Sequence, residues 1–259
     1  TWEVVTEVDT GSGMPPGAAE RGAVLVNSKY VYKTKRNLDG TVKTHKVRLC
    51  AQEFKDYGKK KAERIQRTKT ETMGTGDYDD DVDLYAPVAS KDALRLILAT
   101  AAREGLEVSK LDVKTAYINA EMTREVYMRV PEGMDVPEGS VLRLKKCLYG
   151  LRTSGNRWND LLNQEIEDMG YTRANSDPCV YVKNDEGDLT FVAVTVDDIL
   201  IATGSGGAEH RRILKHMQEK YKMTDEGLLD YYCGIEVTQT ADGIFLGQRK
   251  YTADILERF

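Results

Sequence analysis

Two adjacent carboxylates, Asp197 and Asp198, interrupt a mostly apolar run from Phe191 to Ala202. Charge placed beside buried strands costs on the order of several kcal/mol unless compensated, and like charges at close range add repulsion. A divalent cation is one compensator; an Asp-Asp hairpin turn exposed to water is the other solution. A third carboxylate, Asp112 in Leu111-Asp112-Val113, ends a second apolar strand and is followed by Lys114-Thr115-Ala116-Tyr117. Taken alone it reads as a helix N-cap. Taken together, one Asp at a strand end and two at a hairpin tip can meet across adjacent strands of one sheet. Two Mg²⁺ ions about 4 Å apart need such shared oxygen ligands for in-line phosphoryl transfer. Because Mg²⁺ keeps waters and takes phosphate oxygens, two or three protein carboxylates suffice.

The elements that must position these groups are legible as periodic patterns. Segments 23–35 and 42–53 are β-rich, and Asp39-Gly40 between them is a hairpin signal. Apolar Ala93, Leu94, Ile97, Leu98 and Ala101 have helical spacing, and Gly105 can end that helix. Strands are expected at 108–113, 141–144, 178–183, 189–202 (broken in the middle), 229–237 and 243–247, and helices at 157–169 and 208–221. Residues 9–22 have the composition of a linker, and the polar stretch 55–83, with its acidic cluster Asp77–Asp83, that of a loop or insertion. The mixture predicts an α+β fold whose sheet is covered on one face.

Composition narrows the class. No apolar run approaches the roughly 20 residues that cross a bilayer, so no membrane is expected. Cys50, Cys147, Cys179 and Cys233 are widely spaced, with no paired motif, which suits reduced core thiols in an intracellular protein. The missing initiator Met points to an excised fragment. The net charge of −5 hides an asymmetry: residues 21–70 hold 15 Lys and Arg against 4 Asp and Glu, a local +11 that leaves −16 elsewhere. Gathered positive charge suits phosphates, although Lys59-Lys60-Lys61 alone also reads as a solvated lysine-rich loop.

An ordered series of segments carries a resemblance. It runs through Trp2-Glu3-Val4, Ser28-Lys29-Tyr30-Val31-Tyr32-Lys33, Lys46-Val47-Arg48-Leu49 and Tyr85-Ala86-Pro87-Val88-Ala89. It continues with Leu111-Asp112-Val113-Lys114-Thr115-Ala116-Tyr117, Pro131-Glu132-Gly133, Leu148-Tyr149-Gly150-Leu151, Val196-Asp197-Asp198 and Gly234-Ile235-Glu236-Val237. In this order the chain resembles the reverse-transcriptase domain of copia-type LTR retrotransposons from about residue 24 to its end.

That resemblance implies a right-hand polymerase fold within residues 23–259. Fingers would occupy about 23–87 and 120–156, palm about 88–119 and 157–240, and the start of a thumb connection 241–259. Residues 1–22 would be a tail. It implies an RNA-directed DNA polymerase using two Mg²⁺, or Mn²⁺, with RNA template, DNA primer and dNTPs as partners. The polyprotein would also carry integrase and RNase H segments, and its setting would be a cytoplasmic virus-like particle or the nucleus. Asp112, Asp197 and Asp198 match the catalytic metal-binding carboxylates, with Asp112 and Asp197 as the direct ligands and Asp198 as the third. Tyr117 matches a steric gate that excludes a ribose 2′-OH. Lys46 and Arg48 match residues gripping the triphosphate, Tyr149 and Gly150 the nucleotide pocket, and Cys233 and Gly234 the primer grip.

Three departures accompany the match. Thr195 stands where the family normally has Tyr, Thr153-Ser154-Gly155 where it has Gln-Ala-Pro, and segment 55–83 is longer than the usual connection. With an end at Phe259, they support an alternative expectation of an inactive, truncated remnant that at most binds nucleic acid.

The gathered charge predicts that segment 21–70 supplies most of the affinity for an RNA–DNA hybrid. Four or five phosphate contacts would weaken binding by about two orders of magnitude between 50 and 200 mM salt. Affinity measured across a salt series, with Lys46, Arg48 and Lys59–Lys61 neutralised in parallel, checks this.

Overall fold

In the computed structural model the described residues are 1–36, 41–53, 86–185, 187–204, 207–256 and 258. The Asp39-Gly40 turn, segment 55–83 and Lys59–Lys61 lie outside them. The chain begins β1 (Trp2–Val5), β2 (Val24–Arg36), β3 (Val42–Gln52), α1 (Lys91–Glu104), β4 (Glu107–Val113), a 3₁₀ turn (Ala116–Asn119), β5 (Val126–Arg129) and β6 (Val141–Leu144). It continues α2 (Ser154–Asp168), β7 (Thr172–Arg173), β8 (Val180–Asp185), β9 (Asp188–Thr195), β10 (Asp198–Thr203) and α3 (Ala208–Lys220). The last elements are β11 (Met223–Leu228), β12 (Tyr231–Tyr232), β13 (Ile235–Thr240), β14 (Gly243–Gly247) and α4 (Arg249–Leu256). They divide into two compact units, residues 1–85 with 117–158 and residues 86–116 with 159–259.

The first unit is built on a five-stranded sheet in the order β1-β6-β5-β2-β3. Its long antiparallel hairpin pairs Asn27 with Gln52 and, near the far end, Lys35 with Thr44. The parallel pair β2–β5 sets Val26 beside Met128. Both enter a core with Ala51, Val126, Leu142, Leu144, Leu148 and Leu151. Residues 9–22 are not the linker their composition suggested. They form hydrogen-bonded turns (Gly13 N to Asp9 O, 2.8 Å; Ala18 N to Pro15 O, 3.0 Å) that bury Met14 and Ala18 against Tyr127 and Val141. Ahead of them, β1 pairs with β6, so the expected tail is an edge strand of the sheet.

The second unit carries a six-stranded antiparallel sheet, β11-β4-β10-β9-β8-β7, and a small sheet, β12-β13-β14. Helix α1 starts where Ser90 Oγ accepts from Ala93 N (3.1 Å) and stops at Gly105 (φ 66°), whose missing Cβ suits the left-handed cap. It buries Leu94, Ile97, Leu98 and Ala101, and both α1 and α3 pack on β10. Ile199, Leu200, Ile201 and Ala202 are fully buried in succession, so β10 is covered on both faces rather than the one expected. The expected strand 229–237 is also broken: Cys233 (φ 48°) and Gly234 (φ 86°) make a turn between β12 and β13. Cys50, Cys147 and Cys179 are buried free thiols, whereas Cys233 is exposed.

Helix α3 is tied to this unit by charge. Arg212 donates to Glu209 through Nε (2.7 Å) and a terminal nitrogen (2.6 Å), and Tyr171 O–H donates to the same carboxylate at 2.6 Å. The Arg212 bonds, opposed by burial and helped by Tyr171, hold the Glu209 carboxyl at about 2. A folded-state value below the unfolded one stabilises above the unfolded pKa of roughly 4.3 and is lost as pH falls toward 2. Glu209→Gln should therefore lower stability by on the order of 2 kcal/mol at pH 7. The gap from wild type should close on acidification through that window, read by denaturant unfolding at a series of pH values.

Candidate active site

Strands β4 and β10 pair antiparallel with Asp198 directly opposite Asp112. The next step along, Val113 N donates to Asp197 O at 2.7 Å. This places the Asp112–Asp198 pair at a non-hydrogen-bonded position, where facing side chains come closer. Both carboxylates stand on the same face because directly opposed residues of an antiparallel pair project to one side of the sheet. Beyond them β10 is apolar and buried from Ile199 to Ala202, and the next residue back on β4, Leu111, is buried too.

The hairpin that delivers Asp198 turns in two residues, Val196 and Asp197, between the paired Thr195 and Asp198. Val196 has φ 55°. A β-branched residue there is strained by roughly 1–3 kcal/mol and persists only where its surroundings over-determine it. Two bonds do so: the Asp197 carbonyl accepts from β4, and Thr195 Oγ1 accepts from the hydroxyl of buried Tyr232 at 2.9 Å. Thr195, the departure from the resembled pattern, thus has its own partner.

Like charges placed opposite each other destabilise a strand pair, and the protein supplies a partial counter-charge of its own. Lys110, two residues before Asp112 and on the same face, sets Nζ 3.0 Å from Asp198 Oδ1 and 3.0 Å from Glu226 Oε2. Burial pushes the Lys110 ammonium down, but its bonds to the two carboxylates outweigh this and the net direction is up. Among the described residues no three His, Cys, Asp or Glu side chains are gathered into a group able to hold a metal by themselves. Two facing, half-buried carboxylates with a third in the adjoining turn remain a hard-oxygen donor set that suits Mg²⁺, which takes its other ligands from water and phosphate.

The Cys233-Gly234 turn lies in the same unit. Partial desolvation and then the negative charge of Asp198 push the Cys233 thiol up, so that turn is within electrostatic reach of the carboxylates.

In the first unit four of the candidate nucleotide-binding residues come together. The rings of Tyr117 and Tyr149 lie 4.6 Å apart, tilted by 54°, and the Arg48 guanidinium sits 5.3 Å from the Tyr149 ring centroid. Arg48 Nε is buried without a hydrogen-bond partner, a donor whose desolvation is unrepaid. Lys46 lies on the same face of β3, directly opposite Lys33. Tyr149 is held by Ala51 N donating to its carbonyl at 2.8 Å. Gly150 follows at φ 90°, where an added Cβ would stand 1.9 Å from Ala51 O. Only glycine fits that approach.

Sequence reasoning missed Lys110, Glu226 and Tyr232. The period of two along β4 was the available signal for Lys110; Glu226 and Tyr232 come from segments with no local pattern pointing at the carboxylates.

Comparisons with known proteins identify the family of the chain. The family model described as "Reverse transcriptase (RNA-dependent DNA polymerase)" matches residues 19–259. The retrovirus-related Pol polyprotein from transposon TNT 1-94 of Nicotiana tabacum is 30% identical over 92% of the chain and 17% of its own length. That from transposon RE2 of Arabidopsis thaliana is 29% identical over 100% of the chain and 16% of its own length. The chain thus spans about a sixth of these relatives. Among solved structures, a foamy viral protease-reverse transcriptase in complex with dsDNA covers 88% of the chain and 40% of its own, with 13% identity and a TM-score of 0.37. Telomerase from Candida albicans covers 94% of the chain and 47% of its own, with 11% identity and a TM-score of 0.47.

The glycine contact yields a test. Gly150→Ala should destabilise the chain by about 3 kcal/mol or more, through strain and displacement of Ala51. Val126→Ala, which truncates a core side chain of the same sheet, should cost a comparable amount. Chemical denaturation compares the two, and a Gly150→Ala protein as stable as wild type would contradict the contact.

Proposed function

We propose that this chain, which belongs to the reverse-transcriptase (RNA-dependent DNA polymerase) family of copia-type Pol polyproteins, is a polymerase domain that extends a DNA primer on an RNA template inside the cell. The observation that carries the reading is the register that sets Asp198 opposite Asp112, with Asp197 in the adjoining turn. On this reading the second unit works as palm with the start of a thumb connection, and the first as fingers.

Asp112 and Asp198, with Asp197 beside them, offer the oxygens that would hold two Mg²⁺ or Mn²⁺ ions. Bound there, the ions would supply charge neutralisation on the leaving pyrophosphate and a lowered pKa for the primer 3′-OH. The remaining tasks belong to side chains. Arg48, whose buried Nε has no partner, would gain an acceptor in a phosphate oxygen, and Lys46 on the same face would add a second cation. Tyr117, braced by the Tyr149 ring, would present a fixed edge to the sugar and exclude a 2′-OH by size. The Cys233-Gly234 turn would hold the primer end near the carboxylates. Integrase and RNase H segments elsewhere in the polyprotein belong to the same proposal. The alternative, an inactive remnant, draws on the Lys110 ammonium seated on Asp198.

Primer extension on an RNA template, with Mg²⁺ and with Mn²⁺, separates the two. Wild type should extend, and Asp112→Asn and Asp198→Asn should fall to background while folding normally by circular dichroism. In the extending protein, Tyr117→Ala should incorporate ribonucleotides. No extension with either metal favours the remnant, and unchanged sugar discrimination removes the gate from Tyr117.

A further inference from the structure

Strand β11 pairs with β4 through a register shift. Asp225 opposes Leu111 and Gly227 opposes Lys110, so Glu226 is the extra residue of a β-bulge. Bulges re-aim a side chain that regular pairing would point elsewhere. This one is held on both sides of Glu226. Asp225 Oδ1 accepts from Gly227 N at 2.9 Å, Asp225 Oδ2 is 3.1 Å from His210 Nε2, and His210 Nδ1 is 2.6 Å from Ser109 Oγ on β4. Gly227 adopts φ 75°, the left-handed conformation such a turn needs. The outcome is a second carboxylate at the same 3.0 Å from Lys110 Nζ as Asp198.

We propose that Lys110 is a resident counter-ion for Asp198 and that Glu226 is its alternative seat, so that Lys110 yields Asp198 to an arriving divalent cation and stays paired on Glu226. The inference rests on the reading of Asp198 as a metal ligand. Without metal, Lys110 offsets the repulsion between Asp112 and Asp198 and keeps the strand pair closed. With metal, an ammonium on the same carboxylate is a competing cation, and one left with no other partner would resist displacement. A bulged Glu already in contact removes that penalty, because the ammonium changes from two carboxylates to one without becoming an unpaired, mostly buried charge. Lys110 and Glu226 are positioning residues here; neither needs to touch substrate.

Charge alone predicts that removing a cation tightens metal binding and removing an anion weakens it, so the test must go further. Mn²⁺ binding to the whole 259-residue chain is measured by water-proton relaxation for wild type, Lys110→Gln, Glu226→Gln, the double variant and Asp112→Asn. Lys110→Gln should tighten Mn²⁺ about three- to tenfold and Glu226→Gln weaken it about threefold. In the Lys110→Gln background, Glu226→Gln should do almost nothing, since its effect runs through the ammonium. Independent, additive effects, or a Lys110→Gln affinity equal to wild type, overturn the proposal. If Lys110→Gln does not fold, full Mn²⁺ affinity in Glu226→Gln, which changes a half-exposed residue, overturns it alone. Wild-type binding that is lost in Asp112→Asn yet indifferent to Lys110 and Glu226 sinks this inference and leaves the metal site standing. No Mn²⁺ binding by any of them sinks both.

Discussion

The second unit depends on one register. Strands β4 and β10 lie so that Asp198 faces Asp112, and a slip of one residue would carry every side chain of a strand to the other face. Strand β4 resists that slip because it would turn half-buried Lys110 and Asp112 onto the face that holds buried Leu111 and Val113. Ile199, Leu200, Ile201 and Ala202 are fully buried, as are Val108, Leu111 and Val113 on β4. Hydrophobic burial, worth about 1.5–3 kcal/mol for each large side chain, therefore fixes two like charges at close range. The repulsion is accepted at the strand ends because the rest of the ladder outweighs it.

That hierarchy explains which parts were legible in advance. Carboxylates interrupting apolar runs are visible because the surrounding pattern is strong, so Asp112, Asp197 and Asp198 could be singled out by type and position. Helix α1 was readable end to end from its apolar spacing, with Gly105 as its stop. The strands that went unread are those whose stability comes from partners rather than from their own pattern. Met223–Leu228 is largely exposed and has no clean alternation, yet it forms β11 because β4 offers it a free edge. Trp2–Val5 is four residues long and becomes a strand only by adding to β6. The turns of residues 9–22 look like a linker because glycine and proline dominate them, while the burial of Met14 and Ala18 depends on Tyr127 and Val141, more than a hundred residues away.

In the first unit the analogous constraint is steric. Ala51 N bonds the Tyr149 carbonyl, and Gly150 passes so close to Ala51 O that no side chain fits. This backbone contact anchors Tyr149, whose ring then meets Tyr117 and the Arg48 guanidinium. A tyrosine pressed edge and face between a second ring and a cation has little rotamer freedom left. Glu53, buried at the end of β3, closes the arrangement by accepting from Arg124 at 2.5 Å and from Arg152 N at 2.7 Å. Ion pairing and backbone capture by one carboxylate thus lock the segment that carries Tyr149 and Gly150.

The strained turn at Val196 shows how the two kinds of constraint combine. A left-handed, β-branched residue costs stability, and nothing in its own side chain offsets that cost. What does is its neighbours: Asp197 is bonded to β4 through its carbonyl, Thr195 is bonded to Tyr232, and the hairpin strands below are buried without interruption. The Thr195–Tyr232 bond is a hydroxyl pair, where the resembled pattern has a tyrosine ring in place of Thr195. In this chain Thr195 answers to Tyr232 through that bond. The polar tie helps the turn keep its conformation, and both aspartates stay where the strand register puts them.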